Sequence, residues 1–214
     1  VDAFVDPTQP ALLTAAVIAG GRIAARINAL ATDNAALLRE REGLRESQLL
    51  DSLTGLGNRR FAEHSLRDAI RQVESRGGAV CFMMIAIGNV EEIVAKYDRH
   101  IADEFTQLVA QRIQGLVRPM DVACHFGEGV FALVLLQPSI DHCTAECYQR
   151  IFDGIRLKSY RSAVGYLTAI VGVSISASHA ENGSPNLEAM IRVAESHLDD
   201  AVRTQRISVE HLSK

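Results

Sequence analysis

A hairpin with an acidic tip is the first place where this sequence could do chemistry. Two apolar, strand-like runs in residues 122–135, VACHFGEGVFALVL, flank the segment Gly127-Glu128-Gly129. Glycine suits a tight turn because it adopts positive φ without steric cost. A carboxylate at such a tip is the kind of hard oxygen ligand that binds divalent cations. The hairpin is therefore either an active site or the outline of one.

The cysteines are the second group of residues with chemical potential. The four cysteines, Cys81, Cys124, Cys143 and Cys147, show no C-x-x-C spacing. A zinc site at Cys143 and Cys147 would need two further ligands, and the adjacent His142 lies on a different helical face. We therefore predict no metal site, and we expect reduced thiols in a cytoplasmic protein.

Length and composition bound the class of protein. The 214 residues allow one domain, or one domain with an appendage, and 48% apolar against 22% charged residues allow a folded core. The net charge of -4 and the lack of a basic run argue against nucleic-acid binding. No signal peptide is visible, and the apolar run of residues 11–21 is too short to span a bilayer. Membrane attachment would have to come from regions upstream of this chain.

A long helix is predicted ahead of these chemical residues. From residue 11 to about residue 50 there is no proline, and apolar residues recur at a spacing of three and four. This pattern is typical of a parallel coiled coil, in which Asn34 would fix register and favour a dimer. The alternative is a single helix packed on its own domain. We predict a helical linker in residues 1–50, whose apolar start is either the tail of an upstream sensor domain or an ordinary helix, and a second domain in residues 51–214.

The second domain alternates helices and strands. The pattern predicts helices over 61–75, 90–116 (broken near 98–100), 141–158 and 186–205, strands over 79–87 and 166–178, and a hairpin over 121–136. This order predicts an α+β fold in which helices flank a central, mainly antiparallel sheet.

The segment between linker and domain resembles a known family. Residues 51–60, DSLTGLGNRR, are similar to the opening motif of GGDEF domains, Asp-x-Leu-Thr-Gly-Leu-x-Asn-Arg-Arg, with every fixed position present. The element order also fits, so the resemblance covers about residues 51–210. It implies the nucleotidyl-cyclase-like fold of diguanylate cyclases, preceded by a coiled-coil signalling helix.

The resemblance also implies where the active site would be. In that family two GTP-loaded domains face each other and form cyclic di-GMP, and carboxylates hold the metal ions that neutralise the triphosphate. The acid of the first strand aligns with Ala86, and the guanine-reading Asn aligns with Val94. A guanine-contact Asp is retained as Asp103.

The signature of the family falls on the opening hairpin. Gly-Gly-Asp/Glu-Glu-Phe aligns with residues 127–131, so the two acids are replaced by Gly129 and Val130, and Glu128 stands one position early. We therefore predict a degenerate active site without magnesium or catalytic residues, and a chain that is not an enzyme. Its positions are Ala86, Val94, Asp103, Gly127, Glu128, Gly129 and Val130.

A different site of the family is matched just upstream. Arg118-Pro119-Met120-Asp121 is separated from Gly127 by five residues, which matches the offset of the family's inhibitory Arg-x-x-Asp motif. Arginine can grip the O6 and N7 edge of guanine, and aspartate can accept from its N1 and N2 donors. The plain alternative is a solvated ion pair. A second match, Arg150 to Asp153, is interpreted as a helix-surface pair, although Arg150 also falls near a second ligand-binding Arg of the family.

These observations lead to a prediction of function with two alternatives. The chain is predicted to be a cyclic di-GMP receptor that binds at Arg118, Asp121 and Arg150. It would dimerise through its N-terminal helix and signal to attached or partner domains, in a pathway such as biofilm secretion, motility or cell-cycle control. The alternatives are a nucleotide-independent dimerisation and docking module, and a GTP-binding allosteric domain.

Overall fold

The helix that follows the DSLTGLGNRR segment begins at a capped residue. The computed structural model describes Asn28 and residues 49–179 and 186–212. The Asn58 side chain accepts a hydrogen bond from the Phe61 amide and so starts helix α1 (Arg59–Arg76), as expected of an N-cap asparagine. The helix ends at Gly77, whose φ is +77°.

Strand β1 (Ala79–Ile87) is the centre of the fold, and all of its residues are buried. Helices α2 (Val90–Lys96) and α3 (Arg99–Gln114) follow it. The Asp98 side chain caps α3, which explains the predicted break near residue 98. Strands β2 (Val122–Gly127) and β3 (Val130–Gln137) form the predicted hairpin.

The second half of the domain completes the sheet. A short 3-10 helix (Ile140–His142) precedes helix α4 (Ala145–Arg156) and the small hairpin of β4 (Ser159–Ser162) and β5 (Gly165–Thr168). The last elements are β6 (Val171–His179), α5 (Leu187–Ser196), α6 (Leu198–Thr204) and β7 (Ile207–His211).

The predicted α+β class is confirmed, with a mixed sheet at its centre. The five strands lie in the order β2-β3-β1-β6-β7. The pairs of β1 with β3 and β6, and of β2 with β3, are antiparallel, whereas β7 runs parallel to β6. Alternate side chains of β1 enter two apolar clusters, one shared with α3 and α4 and the other with α1 and α5. Two-sided burial explains why β1 is continuously apolar.

Three predicted elements differ from the observed ones. The single helix predicted over 186–205 is two helices that meet at His197. The single strand predicted over 166–178 is β5 and β6, and the residues taken for a tail contain β7. These boundaries contain no proline, and β7 forms only through its pairing with β6, a long-range contact that local patterns do not report.

The N-terminal helix predicted in residues 1–50 lies almost entirely outside the described residues. It therefore stays a prediction, as do the coiled coil and the domain boundary. Within the part of the chain that the structure describes, none of the helices has the length and apolar character needed to span a bilayer.

Candidate functional site

The tip of the β2–β3 hairpin has an unusual backbone. The φ angles of Gly127, Glu128 and Gly129 are all positive, at +92°, +50° and +75°. A Cβ added at Gly129 would lie 2.6 Å from the Cγ2 atom of Val90, so α2 leaves no room for a side chain there. The backbone angle and the contact with Val90 therefore both favour glycine at position 129.

A cavity of about 200 Å³ lies beside this tip and receives only some of the residues predicted to share one pocket. Asp103, Gly127, Glu128 and Gly129 line it together with Asp51 and His125. The other three predicted positions, Ala86, Val94 and Val130, belong to or pack against the apolar clusters. Ala86 is buried and Val94 and Val130 are partly buried, so these three do not line the cavity, and their place in a shared degenerate site stays a prediction.

Four ionisable side chains of the tip cavity form two pairs. The Nε atom of Arg99 lies 3.3 Å from the Oδ1 atom of Asp103. The Nδ1 atom of the buried His125 lies 2.8 Å from the Oδ1 atom of Asp51. Burial alone would raise the pKa of Asp51, but hydrogen bonds from Thr54 and His125 outweigh that effect and lower it.

The donor set does not fit a resident divalent cation at this place. Ala86 and Gly129 offer no side-chain oxygen, and in residues 49–179 and 186–212 no three His, Cys, Asp or Glu residues are grouped to hold a metal ion. We therefore derive no chemical step through a metal here.

The Arg118–Asp121 segment forms a closed turn on the surface. The Asp121 amide donates to the Arg118 carbonyl at 3.0 Å, and the Arg118 amide donates to the Oδ2 atom of Asp121 at 2.9 Å. These bonds leave the Oδ1 atom of Asp121 without a hydrogen bond in the described part of the chain. The Arg118 guanidinium also makes no ion pair with any described residue.

This turn borders a cavity of about 250 Å³, which is lined by all three residues predicted to bind cyclic di-GMP. Arg118 and Asp121 approach it from the turn before β2, and Arg150 approaches it from α4. The Nη2 atom of Arg150 donates to the Leu116 carbonyl at 2.7 Å, which holds α4 against the segment that leads into the turn. The structure thus brings these residues together, while their role stays a prediction.

Arg150 and Asp153 do not form the predicted pair on the helix surface. Asp153 accepts instead from Gln149 and Arg156, at 2.9 and 3.3 Å. That interpretation of the second Arg-x-x-Asp match is therefore wrong, because Arg150 turns towards Leu116.

The cavity is also lined by residues that the sequence analysis did not predict, among them Tyr148 and Gln137. The Nε2 atom of Gln137 donates to the Tyr148 hydroxyl at 3.0 Å, and that hydroxyl donates to the Sγ atom of Cys81 at 3.2 Å. Burial is the largest cause that raises the pKa of Tyr148, to about 12. In the sequence, the only indication was that Tyr148 lies two residues before Arg150.

The expectation of four reduced cysteines is wrong for one pair. Cys81 and Cys143 form a disulfide, and Cys124 and Cys147 are free. The two bonded residues are far apart in the sequence, so spacing gave no indication that β1 and the residue after the 3-10 helix meet.

Fold and hairpin together define a nucleotidyl-cyclase-like domain. Residues 48–207 match the family described as "Diguanylate cyclase, GGDEF domain". The chain therefore belongs to the GGDEF family, as the opening motif predicted.

Similarity to two bacterial proteins supports the same family assignment. Diguanylate cyclase DosC of Escherichia coli is 30% identical over 176 residues, which are 81% of this chain and 38% of DosC. Response regulator PleD of Caulobacter vibrioides is 25% identical over 170 residues, which are 77% of this chain and 36% of PleD. The chain thus spans well under half the length of these relatives.

Solved structures show the same fold. The coiled coil and GGDEF domain of DgcB from Caulobacter crescentus, solved in complex with c-di-GMP, has a TM-score of 0.71 at 18% identity and covers 88% of this chain and 99% of its own. Diguanylate cyclase SiaD of Pseudomonas aeruginosa, solved with its activator SiaC, has a TM-score of 0.68 at 19% identity and covers 96% of this chain and 78% of its own.

The comparisons correct one prediction about function. The chain was predicted not to be an enzyme because Ala86 and Gly129 replace acids of the family pattern. Relatives that align with it, DosC and VdcA of Vibrio cholerae, are named diguanylate cyclases, which places it in an enzymatic family. The two replacements are facts of the sequence, but they do not set the chain apart from that family.

Proposed function

We propose that this GGDEF domain binds cyclic di-GMP at the cavity next to the Arg118–Asp121 turn. The observation that carries the proposal is that the Arg118–Asp121 turn and Arg150, from a later helix, line one cavity. Two guanidinium groups supply donors for phosphate oxygens and for the O6 and N7 atoms of guanine. The Asp121 carboxylate supplies an acceptor for the N1 and N2 donors.

Calorimetric titration with cyclic di-GMP tests this proposal. We expect the wild type to bind and Arg118→Ala to lose about ten- to a hundredfold in affinity, because hydrogen bonds to charged groups contribute about 1.5–3 kcal/mol. The matched control is Arg161→Ala, which removes an exposed arginine of β4 away from the cavity. No binding by the wild type, or equal affinity of wild type and Arg118→Ala, would overturn the proposal.

The stoichiometry of the same titration bears on Arg150. Two ligand molecules per domain would support a stacked pair that contacts both Arg118 and Arg150. In that case Arg150→Ala should reduce the number of bound ligands or the affinity for the second one.

Synthesis of cyclic di-GMP from GTP is the second candidate function. Alignment with relatives named diguanylate cyclases favours it, and the tip cavity carries the carboxylates of Asp103 and Glu128. Chromatography after incubation with GTP and magnesium is the test. Product that falls with Glu128→Gln but not with Glu146→Gln supports synthesis at the tip, and no product from the wild type contradicts it.

Signalling through a dimer completes the proposal. The apolar repeat of residues 11–48 supports a homodimer, which would pass ligand binding to attached or partner domains. Leu30→Asp places a charge in the predicted seam and should convert the dimer to a monomer in light-scattering measurements. A dimer that persists in this variant would argue against the coiled coil.

A further inference from the structure

Tyr148 connects the disulfide to one wall of the 250 Å³ cavity. Its ring is buried, and its hydroxyl contacts Cys81 on one side and Gln137 on the other. The Cys81 sulfur is disulfide-bonded and carries no hydrogen, so it can only accept. The single hydroxyl proton of Tyr148 is therefore committed to Cys81.

This commitment determines how the Gln137 side chain is oriented. Because the Tyr148 oxygen has only lone pairs left, the Gln137 atom that faces it must be the amide nitrogen, which donates at 3.0 Å. The Oε1 atom of Gln137 then points away from the tyrosine. It accepts no hydrogen bond from any residue in the described part of the chain, and Gln137 is only half-buried.

Gln137 therefore adds an acceptor oxygen to the residues that line the cavity. Gln137 and Asp121 supply acceptor oxygens, and Arg118 and Arg150 supply donors. The edge of guanine offers N–H donors at N1 and N2 beside the O6 acceptor, whereas adenine has an amino donor where guanine has O6. Acceptors next to an arginine therefore match guanine better than adenine.

We propose that Gln137 is a specificity-determining residue of this cavity and that Tyr148 is its positioning residue. The Oε1 atom of Gln137 accepts from guanine N1 or N2, and Tyr148 holds the amide in the orientation that presents this oxygen. This inference rests on the proposed binding of cyclic di-GMP. It adds the residue that selects the base.

The experiment compares cyclic di-GMP with cyclic di-AMP in calorimetric titrations. We expect Gln137→Leu to weaken cyclic di-GMP binding about tenfold while cyclic di-AMP binding changes little, because a site built to hydrogen-bond a base discriminates through that bond. Tyr148→Phe keeps the packing of the ring. It should also reduce the ratio of cyclic di-GMP affinity to cyclic di-AMP affinity. The control Gln149→Leu removes a glutamine of α4 that pairs with Asp153 outside the cavity, and should change neither affinity.

The outcomes separate the two proposals. Wild-type binding that Arg118→Ala abolishes, with an unchanged base preference in Gln137→Leu and Tyr148→Phe, overturns the role of Gln137 and leaves the binding site in place. Equal losses for both ligands in Gln137→Leu also overturn it, since they indicate a purely structural effect. No wild-type binding to cyclic di-GMP overturns both proposals. Thermal melts of each variant confirm that the affinities refer to folded protein.

Discussion

Gly129 shows how one position is fixed by its surroundings. Its φ of +75° strains any residue with a side chain, and the Cγ2 atom of Val90 occupies the place where a Cβ would go. The family pattern has an acid at this position. In this chain an acid would need both a different turn and a displaced α2.

Gly129→Asp is therefore expected to destabilise the domain by about 1–3 kcal/mol, through backbone strain and the contact with Val90. Gly127→Ala is the control, because its φ is also positive but a Cβ there meets nothing within 4 Å. Urea denaturation gives both free energies of unfolding. Equal losses in the two variants would show that the contact with Val90 is unimportant.

Asp51 links the DSLTGLGNRR segment to the hairpin through His125. The pKa of Asp51 in the folded protein is lower than its ordinary value of 3.8, so its contribution to stability is present above that pH and is lost as the pH falls below it. Asp51→Asn should flatten this acid limb in a plot of unfolding free energy against pH. Asp68→Asn, an exposed carboxylate of α1, should leave the limb unchanged, and an unaltered limb in Asp51→Asn would contradict the linkage.

Strand β1 provides the packing that both faces of the sheet share. Phe82 and Met84 point into the cluster with α1, whereas Met83 and Ile85 point into the cluster with α3. A substitution in this strand therefore disturbs the dense packing on one face of the sheet. Because the strand is shared, it also affects the packing on the other face.

Phe82→Ala should lower the free energy of unfolding by about 3–5 kcal/mol, because the fully buried ring leaves a cavity that the sheet cannot close. Tyr166→Ala is the matched aromatic control on β5. Its side chain is 74% exposed, so the loss should stay within about 0.5 kcal/mol. Denaturant titration gives the free energy of unfolding of both variants. Similar decreases in the two would refute the assigned packing.

The described residues 49–179 and 186–212 should exchange their amides in an order set by the sheet. The amides at the centre of β1, β3 and β6 are flanked by paired strands, whereas β4 and β5 form a separate two-stranded sheet. Native-state hydrogen exchange should give free energies near the global value for the first group and lower values for the second. Faster exchange in β1 than in β5 would contradict the central role of β1.

The sequence was informative where a pattern was local. The apolar run of β1, the glycine-tipped hairpin and the motif from Asp51 to Arg60 predicted the elements, the fold class and the family. Spacing from the hairpin also identified Arg118 and Asp121, and the structure places both beside one cavity with Arg150.

Features made by distant contacts could not be predicted in this way. The Cys81–Cys143 disulfide and the pairing of β7 with β6 join residues that are far apart in the sequence, and the bond between Gln137 and Tyr148 joins a strand to the next α-helix. Likewise, Ala86 and Val94 were assigned to a pocket from alignment alone. Ala86 is buried and Val94 is partly buried against an apolar cluster, through packing that no single-residue replacement reveals.

The state of the four cysteines leaves one thiol that can carry a fluorescent label. Two are tied up in the disulfide, and burial raises the pKa of the Cys124 thiol to about 12, so that thiol reacts slowly with electrophiles. Cys147 is free and exposed, and it lines the same cavity as Arg118 and Arg150. A maleimide dye should therefore attach selectively to the unaltered chain at Cys147, where its fluorescence would report directly when a ligand enters.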